Sequence, residues 1–350
     1  VRRVLITTTI HVPESLRAWR AAGMADDDVI IVAGDRKTPH DEVTELLADM
    51  PGDNRYVSPS TDIGSPISTA VGWNCVQRRN VALAEAIRLQ PRYIITVDDD
   101  NWPTATDQFD RYDRLLDPEG PEQLFREIPL TASESGWYDV GQLLDPATSH
   151  RGFPFWLRGM REPRPRTTPL EIVDRVGVAA SLWLGDPDVD AVARLALGQN
   201  LSVRRMANAL EDGVALDVGT WCPFNSQAVA YRTELAPLMM VWPGVGRYDD
   251  IWASFLARRV MDALGFVAWY GEPLVEQRRN PHDVLADLDA EILGMRHNHE
   301  VVRCLRNVDL DGIKDAEDGM ARCFDALTLL PWLPPVTASA FVAWQMELDR

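Results

Sequence analysis

The run Tyr93-Ile94-Ile95-Thr96-Val97 followed directly by Asp98-Asp99-Asp100-Asn101 constrains this chain more than any other stretch. Five short, apolar, mostly β-branched residues read as a buried strand. Strands end where a sheet meets solvent, so the three acids fall at a carboxyl edge, the ligand-binding rim of an open α/β sheet. Adjacent carboxylates repel one another unless something cationic holds them. A hard divalent cation with oxygen ligands, Mn²⁺ or Mg²⁺, is the natural counter-charge, and such ions share their shell with substrate phosphates. The pattern therefore points to a nucleotide diphosphate. The alternative is a solvated acidic turn, common in a chain with 53 Asp and Glu against 35 Lys and Arg.

Strands and helices alternate on the N-terminal side of this motif. Residues 4–8 read as a first strand with a threonine-rich tip, and a helix follows from Pro13-Glu14-Ser15, where proline suits the first turn. Residues 28–33 read as a second strand closing on Gly34-Asp35, and a helical stripe interrupted by Gly72 runs from 66 to 89. β-α-β-α-β with short connections is the Rossmann-like half of a doubly wound sheet. No GxGxxG follows the first strand, which disfavours a dinucleotide dehydrogenase.

The stretch 120–213 is proline-rich and weakly periodic, with Arg151, Arg158, Arg161, Arg164 and Arg166 clustered. The patterns predict a strand over 176–183, a helix over 187–197, strand-like runs over 215–231 around Trp221–Asn225, and an amphipathic helix over 250–264. Helices are expected over 284–305, 316–329 and 338–348. The fold class is thus α/β with a helical C-terminal extension.

With 350 residues, 46% of them hydrophobic, the chain can bury one large or two modest cores. A net charge of −18 argues against an extended nucleic-acid or anionic-membrane surface. Lys37 and Lys314 are the only lysines, an arginine excess that fits a GC-rich, bacterial coding genome. Cys75, Cys222, Cys304 and Cys323 show no CxxC or zinc spacing, no run approaches the ~18 apolar residues of a membrane span, and Val1-Arg2-Arg3 leads straight into a strand. A soluble, cytoplasmic protein without a membrane partner is expected.

Three ordered motifs carry a resemblance. YIITVDDDN (93–101), RGFPFWLR (151–158) and GRYDDIWA (246–253) occur in the same order and at similar spacing in the plant reversibly glycosylated polypeptides, the UDP-arabinopyranose mutases. Thr7-Thr8-Thr9-Ile10 and Gly34-Asp35-Arg36-Lys37-Thr38-Pro39 resemble the plant STELLO glycosyltransferase-like proteins. Together they cover roughly residues 4–285. The resemblance implies a glycosyltransferase-A-like fold over 1–280, with a nucleotide-binding half (1–119) and an acceptor half (120–280); the helical extension (281–350) lies outside it. It implies a UDP-sugar donor, a small-molecule acceptor and Mn²⁺ or Mg²⁺.

The residue assignments follow from position and resemblance together. Thr8, Thr9 and Asp35, at the ends of the first two strands, are expected under the uracil and ribose. Arg79 lies one helix before the acid motif, where its fork suits phosphate oxygens; a solvated helix face is the alternative. Asp100 is the expected metal ligand, with Asp99 and Glu276 as further candidates, and Asp98 the ribose or structural partner. Arg151 matches the arginine reported as reversibly glycosylated in the plant family, but a guanidinium stays protonated and is a poor nucleophile. A clamp role for Arg151 and Arg158 on phosphate or carboxylate is therefore favoured. Asp249 and Asp250 open a helix, where acids answer the dipole; a sugar-facing or catalytic role is expected for at least one, Asp249 first.

The chain also departs from the family. The plant proteins carry a histidine before the Asn-Pro that matches Asn280-Pro281, whereas here the stretch is Leu274-Val275-Glu276-Gln277-Arg278-Arg279. Glu276 or His282 is the expected substitute ligand, and Arg278 or Arg279 the diphosphate clamp. Asp283, Asp287, Asp289 and Glu291 read as a solvated helical face. Trp332 and Trp344 either pack internally or form a homo-oligomer. The leading functional expectation is a metal-dependent glycosyltransferase; a UDP-pentose pyranose/furanose mutase comes second, and a non-catalytic nucleotide-sugar-binding subunit third.

Overall fold

In the computed structural model, residues 2–117, 128–159, 166–170, 175–198, 201–206, 213–278 and 283–350 are described. The N-terminal half is a parallel sheet with helices between its strands. It runs β1 (Arg3–Thr9), α1 (Ser15–Ala21), β2 (Val29–Gly34), α2 (His40–Ala48), β3 (Arg55–Val57), α3 (Pro66–Val71), α4 (Arg79–Arg88) and β4 (Tyr93–Val97). β2 and β4 are buried at every position, which is why both read as continuous apolar runs rather than alternating ones. The expected break at Gly72 is real: Gly72 and Asn74 both adopt positive φ, and a single 3₁₀ turn over Val76–Arg78 leads into α4.

Beyond β4 the chain adds β5 (Asn101–Pro103), α5 (Gln108–Leu116), β6 (Ile128–Ala132), β7 (Leu144–Asp145), β8 (Arg166–Leu170) and β9 (Val176–Gly185). Next come α6 (Ala191–Leu197), β10 (Arg205–Met206), β11 (Gly213–Leu216), β12 (Ala228–Arg232), α7 (Asp249–Leu264) and β13 (Val267–Gln277). Among the described residues the large sheet has the order β3-β2-β1-β4-β12-β9-β13-β11-β6-β8, with β5 pairing the far end of β13. Strands β3, β2, β1 and β4 are mutually parallel, and β12 turns antiparallel against β4. The α/β expectation holds, and the doubly wound half ends at the acid motif.

The strand-like runs expected over 215–231 are β11 and β12, flanking a loop that carries Trp221–Asn225. Other expectations are corrected. The helix expected from 187 starts at Ala191, with Asp190 as its N-cap accepting from the Ala193 N–H (2.8 Å). β13, the longest strand, has no sequence-based expectation: Gly271, Glu272 and Pro273 interrupt its alternation, and its register against β9 shifts there. Of the arginine cluster, Arg161 and Arg164 lie outside the described residues, as do Arg279, Asn280, Pro281 and His282.

The chain ends in α8 (Val284–Arg306), α9 (Ala316–Thr328) and α10 (Pro335–Leu348). These helices dock on the body. α9 packs on α7, and α10 lies on α3. Trp344 is fully buried and donates from its indole to the Pro237 carbonyl (2.9 Å), and Trp332 packs on Trp252 while stacking with His297. Both tryptophans are thus packed internally. Among the described residues, no helix is long and apolar enough to cross a membrane.

Candidate functional site

Asp98, Asp99 and Asp100 leave β4 at the carboxyl edge of the parallel sheet and point in different directions. The Asp98 N–H donates to the Gln227 carbonyl (2.8 Å), fastening the turn to the start of β12. Its carboxylate receives the Arg79 guanidinium, which also donates to the Ser226 carbonyl (2.9 Å) and hydroxyl. Asp99 accepts from the Thr9 hydroxyl. Asp100 accepts from the Asn101 amide (3.1 Å), and its carbonyl accepts from the Arg278 N–H (3.0 Å).

Two cavities meet at this motif. The first, of about 450 Å³, is lined by Thr8, Thr9, His11, Asp35, Asn74, Cys75 and Asp99. The second, of about 390 Å³, is lined by Gln77, Arg151, Ser226, Gln227, Arg247, Asp249, Asp250 and Gln277. Val76, Arg79, Asp98 and Asp100 belong to both. The walls of the first come from the strand ends of β1 and β2. Asp35 is buried there, accepting from the Cys75 N–H (3.2 Å), and the Thr8 hydroxyl donates to the Ala33 carbonyl (2.8 Å).

At the far end of the second cavity, the first turn of α7 presents Asp249 and Asp250. Arg151 grips Asp250 with two bonds, from Nη1 to Oδ1 and Nη2 to Oδ2, both 3.1 Å. Its Nε donates to both oxygens of Asp188 (2.9 and 3.1 Å), and Nη1 also donates to the Arg247 carbonyl. Asp188 is completely buried and takes a further bond from Asn225 (2.8 Å); Asp250 takes one from the Ser226 N–H (3.0 Å). Asp249 instead accepts from the Gln77 amide (2.7 Å) and the Asp250 N–H (2.9 Å), and among the described residues no cation pairs with it.

The environments drive the adjacent acids apart. Burial, and then the Asp250 charge, push Asp249 from 3.8 to about 7. Burial also acts on Asp250, but the Arg151 guanidinium outweighs it and holds Asp250 below the usual carboxylate range. Burial raises Asp98 despite the Arg79 charge. Arg151 is held well above its ordinary value because Asp188 and Asp250 overcome the cost of burial. One buried pair therefore contains a fixed anion and a group that exchanges a proton near neutrality.

Not every expected site residue reaches the cleft. Arg158 is turned away, pairing with Asp190 at the head of α6 and donating to the Phe153 carbonyl (3.4 Å). Arg278 lies over the Trp102 ring (4.5 Å) and pairs with Glu276 (2.6 Å), its side chain lining neither cavity. Glu276 is opposite Trp102 in the β13–β5 ladder. The alternation of the strand therefore points the neighbouring Gln277, opposite Asn101, into the cavity instead. The expected ligand set Asp99, Asp100 and Glu276 is not brought together. Among the described residues no three His, Cys, Asp or Glu side chains gather to hold a metal. Asp98 and Asp100 do face both cavities with hard oxygen donors, and Mg²⁺-type sites need only one or two carboxylates beside substrate phosphates. The residues present fit such an ion.

Sequence reasoning missed Asp188, Gln77, Ser226, Arg247 and Gln277. Asp188 lies in Gly185-Asp186-Pro187-Asp188, where local pattern offers only a turn. Gln277 sits inside the stretch flagged for its missing histidine, one residue from the wrong candidate.

The family model described as "Reversibly glycosylated polypeptide" matches residues 138–328. A probable UDP-arabinopyranose mutase 1 of Pisum sativum is 27% identical over 225 residues, covering 60% of this chain and 53% of that protein. UDP-arabinopyranose mutase 3 of Arabidopsis thaliana is 27% identical over 233 residues, covering 63% and 56%. The chain spans about half the length of the curated relatives it matches. These relatives are plant proteins and give no support to the expected bacterial source. Among solved structures, S. aureus TarS 1–349 in complex with UDP-GlcNAc aligns over 100% of this chain and 91% of its own, with 11% identity and a TM-score of 0.40. With the family model spanning more than half of the chain, the chain belongs to the reversibly glycosylated polypeptide family.

Proposed function

We propose that the cleft binds a UDP-sugar and that the protein is an enzyme that breaks the sugar's anomeric C–O bond. The observation that carries this reading is the shared wall: Arg79, Asp98 and Asp100 separate a strand-edge cavity from an acid-ended one. A uridine fits the first cavity, against Thr8, Thr9 and Asp35, and the sugar the second. The diphosphate then crosses the wall. Asp100 and Asp98 would hold a divalent cation, which would supply positive charge to the departing UDP. Arg79 keeps Asp98 in place and adds charge beneath the phosphates.

Asp249 is the proton acceptor in this reading. It titrates near neutrality, faces the sugar cavity and is steadied by Gln77. The acceptor hydroxyl gives its proton to the Asp249 carboxylate as its oxygen bonds to the anomeric carbon and UDP departs with the bonding pair. Asp250, permanently ionised by Arg151, steadies positive charge that develops on the sugar. Arg151 itself is committed to two carboxylates and a carbonyl. It acts as a clamp on the acid pair, and its protonation disfavours it as a nucleophile.

A small-molecule acceptor makes the protein a glycosyltransferase. The names of the plant relatives favour the second reading, a mutase in which one of the sugar's own hydroxyls recaptures the anomeric carbon. Incubation with Mn²⁺ and a panel of nucleotide-sugars, followed by NMR, separates the two. Free UDP released from one donor, and lost in Asp100→Ala, supports transfer; a changed ring form with UDP attached supports the mutase. UDP binding without either outcome, even with added acceptors, would replace both with a non-catalytic sugar-nucleotide-binding subunit.

A further inference from the structure

Of the acid series on α8, Asp283 and Asp289 are exposed as expected and Asp287 is half-buried, but Glu291 is not solvated. Glu291 is completely buried, and its two oxygens serve two different elements. Oε2 accepts from the main-chain N–H of Ala191, the first residue of α6 (2.7 Å). Oε1 accepts from Arg247 Nε (3.0 Å), and Asp287, one turn earlier on α8, approaches the same guanidinium at 3.4 Å. Arg247 lines the acid-ended cavity, and its carbonyl accepts from the Arg151 guanidinium.

The backbone around this contact is fitted to it. Gly246 has φ +62°, and a Cβ there would lie 2.0 Å from the Ala290 carbonyl oxygen. Gly294 lets α8 approach the Tyr248 ring, where a Cβ would also meet carbon at 2.0 Å. The turn Gly246–Tyr248 is therefore pressed between α8 and the cavity, and it runs directly into Asp249 and Asp250. A buried carboxylate is tolerated only when paired and hydrogen-bonded, and here its charged partner, Arg247, belongs to the cleft wall.

We propose that Glu291 is a positioning residue of the cleft. It fixes the Arg247 side chain and the Gly246–Tyr248 turn, and through the Arg247 carbonyl it fixes Arg151 against Asp250. The helical C-terminal region is then part of the working site rather than an appendage. The inference rests on the reading of the cleft as a nucleotide-sugar site. The strand-edge cavity does not include Arg247, so free UDP binding is independent of Glu291.

Glu291→Gln tests this without removing the side chain. A single amide oxygen replaces two carboxylate oxygens, so Ala191 and Arg247 can no longer both be served in the same geometry. With the urea midpoint recorded alongside, the expected result is an unchanged Kd for free UDP, a KM for the nucleotide-sugar within about twofold, and a kcat lowered roughly tenfold, the scale of one charged hydrogen bond. Glu291→Ala should lose more, so that Gln counts as partial rescue. Unchanged kcat in both variants, or a loss of free-UDP affinity in parallel with kcat, overturns the proposal. A crystal structure of ligand-free Glu291→Gln asks the same question independently of activity. Displacement of the Arg247 guanidinium or loss of the Arg151–Arg247 carbonyl bond supports the role, and an unmoved Arg247 and Arg151 refute it. If the wild type binds no UDP, the nucleotide-sugar reading fails, while this structure still decides what Glu291 does.

Discussion

Asp249→Asn tests the electrostatics of the acid pair through stability alone. In the unfolded chain Asp249 ionises above its ordinary 3.8, whereas in the folded chain burial and Asp250 delay ionisation to about 7. Between these values the unfolded state has lost a proton that the native state keeps. Stability from this group is therefore fully present below about pH 4 and declines as pH rises through 7. Three pH units at about 1.4 kcal/mol each set the loss at about 4 kcal/mol. Asparagine cannot ionise, so the variant lacks this decline. It has one carbonyl oxygen for the two donors that Asp249 serves, Gln77 and the Asp250 N–H, at a pH-independent cost of about 1–3 kcal/mol. Urea unfolding at pH 5, 6, 7 and 8 reads the difference. At pH 5 the two proteins should be close in stability, because more than a third of the roughly 4 kcal/mol is already gone from wild type. The variant should gain on wild type by about 1.4 kcal/mol per pH unit up to pH 7 and hold level above. A wild-type-minus-variant difference that stays constant across the series would refute the assigned environment.

Asp100→Ala should remove the effect of Mn²⁺ on UDP affinity while leaving the metal-free affinity nearly intact, read by calorimetry with and without the ion. Arg151→Lys cannot reproduce the fork on Asp250 together with the Asp188 contact. It should destabilise the fold by about 1–3 kcal/mol in urea unfolding, the scale of a lost hydrogen bond to a buried charge, and abolish turnover. Arg158→Ala removes a residue that pairs with Asp190 outside both cavities. Thermal unfolding should register a loss, while UDP affinity measured by calorimetry stays within about twofold.

The legible parts of this fold are those whose burial is imposed by the sheet itself. β2 and β4 are covered on both faces, so their continuous apolar runs declare them, and the acids after β4 mark the edge. β13 was illegible because Gly271, Glu272 and Pro273 break its alternation at a register shift. In the site, Thr8, Thr9, Asp35, Arg79 and the acid motif were readable from strand ends and from resemblance. Asp188, which holds Arg151, and Glu291, which holds Arg247, were not. Asp188 and Glu291 are acids that local pattern assigns to a turn and a wet helix face, yet contacts 37 and 44 residues away bury them. Arg158 illustrates the reverse error. It follows Arg151 in one motif, but the short 3₁₀ turn at Phe155–Leu157 directs it to Asp190 instead of the cleft. Glu276 and Gln277 differ only by the pleat of one strand, and strand register is not written in the sequence around them.

The most direct test of the account is a crystal structure with UDP and Mn²⁺ bound. The account predicts uracil and ribose against Thr8, Thr9 and Asp35, the diphosphate over Asp98 and Asp100 with the ion between them, and the open end of the β-phosphate facing Asp249. A nucleotide bound elsewhere, or an ion held without Asp98 or Asp100, would contradict it.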